Sequence, residues 1–240
     1  MLHPFFIVRH AQSLANLAEL QALASGLDFK LTGHMWDLTL VDPTLSPTGR
    51  AQVVQNRAKA HQLQVRKVFV SPLKRTLETC RGLFGDHPMK PEIHICPWMT
   101  EQLGTISELS RLTNWPDKDF KEWNWGLLDQ LPKALWQFDV ITTEKFQTLR
   151  SNFQDFDSFA KLVAKKIEDL YPNCLEDPEE TNYRCDRLRH LLLDELKHGP
   201  VALVGHQSHF KQFTLRATGK STVLENCQIS MQQLSSKKSH

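Results

Sequence analysis

The sequence predicts an α/β fold, a three-layer α/β/α sandwich around a mostly parallel central sheet, and three observations carry that expectation. Strand-length stretches rich in apolar and β-branched residues recur at Phe5–Val8, Val65–Val70, Ile93–Cys96 and Pro200–Gly205, with helix-favouring segments between them. The last of these is an unbroken apolar run, as a strand covered on both faces requires. Polar residues able to do chemistry follow at once: Arg9-His10 after the first, Ser71 and Arg75 after the second, His206-Gln207 after the last. Ligands in open α/β sheets bind at such carboxyl ends.

Size and composition narrow the classes. The chain has 240 residues, 40% of them apolar and 23% charged, which is a globular composition with room for one large or two small domains. A formal charge of +2, with no zinc-finger spacing or arginine-rich segment, excludes the strong basic footprint of a nucleic-acid binder. No apolar run approaches membrane-spanning length, and the N-terminus lacks a basic leader with a secretory core, so a soluble cytoplasmic protein is expected. The five cysteines are odd in number and none has Cys-x-x-Cys spacing, which fits free thiols in a reducing compartment. No repeat or linker divides the chain. It reads as one domain, 1–240, with a variable, substrate-covering insertion at about 105–155.

Taken in order, Phe5 to Val8 is a buried strand that delivers Arg9 and His10 to its carboxyl end, with Gln12, Ser13 and Asn16 as neutral donors beyond it. Residues 17–24 favour helix. Residues 27–44 lack periodicity and read as a long loop near the site, where Met35 and Trp36 either cover it or join the core. Ser46-Pro47 is a cap followed by a first-turn proline, opening a helix to about Leu63. Val65 to Val70 is the second strand. Ser71-Pro72 repeats the cap-and-proline pattern, and Leu73, Leu77 and Cys80 or Arg81 form a helical stripe. Arg75 then lies near a helix N-terminus, where anions are favoured, and shares a face with Thr79; the same residue alone also fits a solvated surface arginine.

Ile93 to Cys96 is a short strand ended by Pro97, and Glu101 falls in the loop beyond it, either as a proton donor or as an exposed acid. Residues 105–155 hold Trp115, Trp123, Trp125 and Trp136 and fit either a substrate wall or a satellite core. Phe156, Phe159, Ala160, Val163, Ala164, Ile167 and Leu170 predict a helix over 157–169. Residues 172–181 read as an acidic loop with solvated Glu176, Asp177, Glu179 and Glu180, and 184–196 as helix. His206 repeats after the last confident strand the position that His10 holds after the first. Residues 210–217 look helical, 222–231 form a final edge strand and 235–240 a polar tail.

The chemistry of these residue types points to phosphorus. A neutral imidazole is a nucleophile that divides one hard displacement into two easier ones, and an arginine beside it forks two donors onto phosphate oxygens. A metal centre from His206, His209, His10 and Glu101 is the competing arrangement. Two neighbouring arginines would repel the cation, so neither metal nor cofactor is expected, and His209 packs, caps or faces solvent on the following helix instead.

Five islands resemble the histidine phosphatase superfamily, branch 1, the relatives of phosphoglycerate mutase. They are Arg9-His10-Ala11-Gln12-Ser13 with Asn16; Leu45-Ser46 with Gly49 and Gln52; Ser71-Pro72 with Arg75 and Thr79; Glu101 with Gly104; and Gly205-His206, in the family's order over residues 5–210. The resemblance implies that His10 is the phospho-accepting nucleophile and that Arg9, Arg75 and a protonated His206 hold the phosphate. Asn16 and Gln12 or Ser13 would assist them, and Glu101 would protonate the leaving oxygen. It also implies a metal-independent phosphomonoesterase for a small phosphorylated substrate, with a phosphoglycerate-mutase-type transferase or a binding or scaffold member as alternatives. Three departures stand out. Ala11 replaces the usual glycine after the first histidine. Gln207 replaces the common glycine after the second, leaving its N–H for phosphate. Thr105-Ile106-Ser107 replaces the common Trp-Glu-Gly. Residues 105–155 hold Lys118 and Lys121 but no recognisable basic cluster for retaining a product, which favours hydrolysis over transfer.

Overall fold

The computed structural model describes residues 3–27, 37–102, 105–108, 119–127, 176 and 178–234. Its sheet contains β1 (Phe5–Arg9), β2 (Lys67–Val70), β3 (Glu92–Ile95), β4 (Val201–Gly205) and β5 (Ile229–Gln232), in the order β3-β2-β4-β1-β5. The first four strands run parallel, and β5 pairs antiparallel to β1 as the edge strand. Every residue of β4 is buried, which is why its sequence is continuously apolar. The helices are α1 (Leu14–Ala24), α2 (Pro47–His61), α3 (Lys74–Phe84), α4 (Pro178–Glu195) and α5 (Gln207–Thr218).

Strand order fixes the layers. The path β1 to β2 to β3 moves along the sheet in one direction, and β3 to β4 returns in the other. Right-handed crossovers therefore put α2 and α3 on one face and α4 on the opposite face. Packing agrees: α2 lies on α3, and α5 lies on α4. The fold is thus the three-layer sandwich expected. The chain leaves β1 and β4, which are neighbours, toward opposite faces, and the crevice between their carboxyl ends is the topological switch point where α/β sheets bind ligands.

Local chemistry sets the helix starts. Ser46 caps α2, its Oγ accepting from Gly49 N at 3.0 Å, with Pro47 in the first turn. Ser13 caps α1 in a reciprocal box with Asn16, so this helix begins before the helix-favouring patch at 17–24. The expected cap at Ser71-Pro72 is corrected: α3 starts at Lys74, with Leu73 at the cap position. The Ser71 hydroxyl is engaged by His206, and the carboxylate of Asp42 accepts the Lys74 N–H at 2.7 Å instead. Asp42 adopts φ 44°, a left-handed conformation that Asp tolerates better than most residues. Helix α5 starts directly after His206, three residues before 210.

The acidic segment is also corrected. The Glu176 side chain is 7% exposed and ion-paired with Arg184, while Glu179 and Glu180 are solvated as expected but in the first turn of α4, where the helix dipole favours them, and Asp177 lies outside the described residues. Arg184 is 2% exposed and donates to Trp98 O at 3.2 Å, Thr100 O at 2.8 Å and Thr100 Oγ1 at 2.9 Å. A side chain of α4 thereby fixes the Pro97–Met99 turn that leads into Glu101.

Among the tryptophans, Trp123 and Trp125 belong to a satellite of the core. Asn124 pairs with β3 through Ile93 O at 2.9 Å and Ile95 N at 2.8 Å, covering that sheet edge. Trp115, Trp136, Met35, Trp36, Lys118, Cys174 and the helix expected over 157–169 lie outside the described residues, as does most of the 105–155 insertion. Cys80, Cys96, Cys185 and Cys227 are buried free thiols. No described helix is long and apolar enough to cross a membrane.

Two substitutions test this frame. A Cβ on Gly49 would sit 2.0 Å from the Gln12 carbonyl oxygen, so Gly49→Ala is expected to cost about 2 kcal/mol and lower the thermal midpoint by roughly 4–8 °C. Arg184→Met removes the cation of a buried ion pair together with its donors to Trp98 O, Thr100 O and Thr100 Oγ1, and should cost about 3 kcal/mol by denaturant titration. Replacing both residues by apolar ones should recover much of that loss.

Candidate functional site

Parallel pairing of β1 with β4 sets Arg9 opposite Gly205, and the His10 N–H donates to Gly205 O at 2.9 Å. The residues that follow are His10 and His206, whose rings meet edge to face at 5.1 Å between centroids. Both are buried, at 4% and 0% exposure. The His10 Nδ1 lies 2.8 Å from Ala11 O, an acceptor only, so Nδ1 carries the proton and Nε2 is the basic nitrogen. Burial drives the His10 pKa well below its ordinary value. Arg75 and Arg9 lower it further, against the hydrogen bond to Ala11. The imidazole is neutral at pH 7.

His206 Nε2 lies 2.8 Å from Ser71 Oγ, while Nδ1 is buried without a partner. Burial depresses its pKa well below the usual imidazole value, and Arg75, His10, His209 and Arg184 all add to the effect. In the free protein burial therefore favours the neutral ring, whereas the protonated His206 expected from the sequence is an expectation for the site with a phosphoryl group bound. His209 lies in the first turn of α5, fully buried and stacked on Phe213, with both ring nitrogens unpartnered. Among the described residues, no group of three or more His, Cys, Asp or Glu is arranged to hold a metal ion.

A cavity of about 400 Å³ opens beside His10, lined by Arg9, Arg75, Glu101 and the rim carboxylates Glu19 and Glu108. Arg9 donates through Nη1 to Leu224 O at 2.9 Å and keeps Nε buried and unpartnered. Arg75, in the first turn of α3, is 3% exposed, and its Nη1 donates to Ser107 O at 2.6 Å. Thr79, one turn along α3, accepts the Ala11 N–H at 3.0 Å and donates to Arg75 O at 2.7 Å. The shared face of Arg75 and Thr79 thus ties α3 to the residue after His10.

Glu101 reaches the N-terminus of α5. Its carboxylate accepts from His209 N at 2.9 Å, Ser208 N at 3.2 Å and Gln102 N at 2.9 Å. Desolvation raises its pKa and the charge of Glu108 raises it further, while the N–H groups of Gln102 and His209 and the cation of Arg75 oppose them. The net shift is upward, toward a carboxyl that holds its proton longer. Glu108 itself is fixed by Thr105 Oγ1 at 2.7 Å and Ser107 Oγ at 2.6 Å.

The neutral candidates divide. Ser13 and Asn16 line the cavity while forming the α1 cap. Gln207 also lines it, but its side chain is turned to the 222–224 loop, accepting from Leu224 N at 2.8 Å. Gln12 is not part of the cavity. Its Oε1 accepts from Ser46 Oγ at 2.7 Å, its N–H donates to Gln52 Oε1 at 2.9 Å and its carbonyl accepts from Ser46 N at 2.9 Å. Its amide oxygen, N–H and carbonyl are thus all engaged at the start of α2, a scaffold contact that sequence spacing does not assign to it. Ser71, Asp42 and Glu108 were not anticipated; Ser71 alone carried a signal, misread as a helix cap.

Buried neutral imidazoles make stability depend on pH. Below about 6.5 the unfolded chain binds protons at His10, His206 and His209 that the folded chain refuses, so folding stability falls as pH falls. The slope is up to about 1.4 kcal/mol per pH unit for each residue. Glu101, with its pKa raised, offsets one of the three between 4.5 and its folded value. Denaturant midpoints from pH 8 to 5 should decline, and His209→Phe should flatten the decline.

The family sequence profile described as histidine phosphatase superfamily (branch 1) matches residues 38–112. No curated protein sequence matches the chain. Among solved structures, the α-ribazole phosphatase of Shigella flexneri is similar at 18% identity and TM-score 0.54, over 98% of this chain and 92% of its own. The phosphoglycerate mutase of Bacillus anthracis is similar at 12% identity and TM-score 0.53, over 96% and 87%. Both likenesses are of fold. Over residues 38–112 the chain is thus similar to the histidine phosphatase superfamily (branch 1), and the sandwich that carries the paired histidines at its switch point is the fold that it shares with these solved structures.

Proposed function

We propose that the chain is a metal-independent phosphomonoesterase that works through a phosphohistidine on a small phosphorylated substrate. The single observation that supports it best is the state of His10: neutral, its Nδ1–H held by Ala11 O, and its Nε2 left as a nucleophile beside Arg9 and Arg75. In the first step the Nε2 lone pair forms a bond to phosphorus as the bond from phosphorus to the leaving oxygen breaks, and Glu101 gives that oxygen its proton. In the second step water attacks phosphorus, Glu101 takes a proton from it, the P–N bond breaks and neutral His10 is restored.

The electrostatics fit these roles. Arg9 and Arg75 neutralise the equatorial oxygens, where charge gathers in the transition state. Glu101 combines a raised pKa with N–H donors that receive its carboxylate once the proton has left. Asn16, Ser13 and the Gln207 backbone are the remaining neutral candidates at the cavity.

Hydrolysis is favoured over mutase-type transfer by charge. The described cations of the cavity wall are Arg9 and Arg75, and the rim carries Glu19 and Glu108. An anionic product such as a phosphoglycerate would meet carboxylates there, whereas a mutase must retain its product until the phosphoryl group returns.

Purified protein is expected to release phosphate from p-nitrophenyl phosphate in the presence of a chelator, and His10→Ala should reduce release to background. Glu101→Gln should slow an alkyl phosphate by roughly 100-fold or more, and the aryl phosphate by much less, since nitrophenolate leaves without a proton. Equal losses on both would remove Glu101 from the acid role.

A further inference from the structure

One buried hydroxyl is engaged with the second histidine and has no place in the scheme above. Ser71 directly follows β2 and is fully buried. Its backbone is pinned on two sides: its N–H donates to Val204 O of β4 at 3.0 Å, and its carbonyl accepts from Thr76 Oγ1 at 2.9 Å. Its Oγ accepts the Leu73 N–H at 3.4 Å and lies 2.8 Å from His206 Nε2. With an N–H already directed at that oxygen, its own proton is free to point to the ring. A lone pair on Nε2 places the proton of a neutral His206 on Nδ1, the nitrogen that is buried without a protein partner.

We propose that Ser71 is a positioning residue that holds His206 in the Nδ1-protonated tautomer, so that a neutral imidazole donates a hydrogen bond to the transferring phosphoryl group. The inference rests on the phosphatase reading for its purpose, though the tautomer can be observed without turnover. A neutral donor suits this place. The titratable and charged groups around the ring are His10 after β1, Arg75 of α3, Arg184 of α4 and His209 of α5, and each disfavours an imidazolium there. On the phosphatase reading, in which Nδ1 faces the transferring group, the opposite tautomer would turn a lone pair to the phosphate oxygens and repel them.

The test is the tautomer of His206 in the free protein, read from 15N–1H correlations of the imidazole rings and assigned by their loss in His206→Asn. Wild type is expected to carry the proton on Nδ1 between pH 6 and 8. In Ser71→Ala the proton should move at least partly to Nε2. kcat on p-nitrophenyl phosphate should fall on the order of 10- to 100-fold, as losing the outer partner of a functional imidazole does, with KM changed much less. Ser71→Thr, which keeps the hydroxyl, should retain the wild-type tautomer and most of the rate. A wild-type His206 protonated on Nε2 overturns the proposal, and so does a Ser71→Ala loss with the tautomer unchanged. If Ser71→Ala does not fold, the wild-type spectrum and Ser71→Thr decide the matter. If no phosphate is released by any form but Nδ1 bears the proton, the function fails and the role of Ser71 in fixing the ring survives.

Discussion

The site depends on one parallel strand pairing. β1 and β4 are far apart in sequence, yet their register places Arg9 against Gly205 and sends both chains past the sheet edge together. The His10 N–H to Gly205 O bond is the last rung of that ladder, and the two imidazoles stand immediately beyond it. A slip of one residue would turn every side chain of the shifted strand to the other face. Such a slip is blocked by burial: Phe5, Ile7 and Val8 on one strand and all five residues of the other are in the core. Hydrophobic packing thus sets the spacing of two polar groups that lie outside it.

Carboxylates from elsewhere in the chain then orient the helices that leave the sheet. Asp42 takes the first-turn N–H of α3, the helix that carries Arg75, and Glu101 takes two N–H groups at the start of α5, directly after His206. Orphan N–H groups at a helix start need acceptors, and neither Leu73 nor His206 supplies one from its own side chain. The distant carboxylates meet that need and tie each helix to a separate segment. Arg184 adds the opposite face of the sandwich to this frame, since α4 reaches the turn before Glu101 through it.

The layered fold and the strand ends that carry Arg9, His10 and His206 were legible because an apolar run there gives way to polar residues. The family island at 45–52 was legible as a pattern while its purpose was not. In the structure Ser46, Gly49 and Gln52 all serve Gln12: Ser46 and Gln52 hydrogen-bond it, and Gly49 leaves room for its carbonyl. Gln12 looked like a ligand because it follows the histidine by two residues; sequence spacing could not reveal that its side chain points back to α2. Glu176 looked solvated because its neighbours are acidic and polar, and its buried partner lies a helical segment away at Arg184. The Ser71-Pro72 pattern suggested a cap by a local rule, and a long-range contact with His206 overrode it. These misreadings share a cause: a polar side chain's partner is set by tertiary packing.

Charge explains why the two histidines do not share one protonation state with the arginines. Two unit charges at the 5.1 Å separating the imidazole centroids would repel by about 3 kcal/mol at an effective dielectric constant of 20, or roughly two pKa units. Arg9 and Arg75 already supply permanent cations at the same end of the sheet, and arginine keeps its charge where histidine gives it up. Positive charge is therefore carried by the guanidiniums and nucleophilicity by the neutral His10. In the proposed cycle His10 gains charge only when bonded to phosphorus, at the moment when the anionic phosphoryl group is beside it to balance that charge. A permanently protonated His206 would raise the cost of forming the free site and compete with both arginines for the same oxygens. A neutral donor on a fixed ring gives direction without that repulsion, and direction is what a planar phosphoryl group in transit requires.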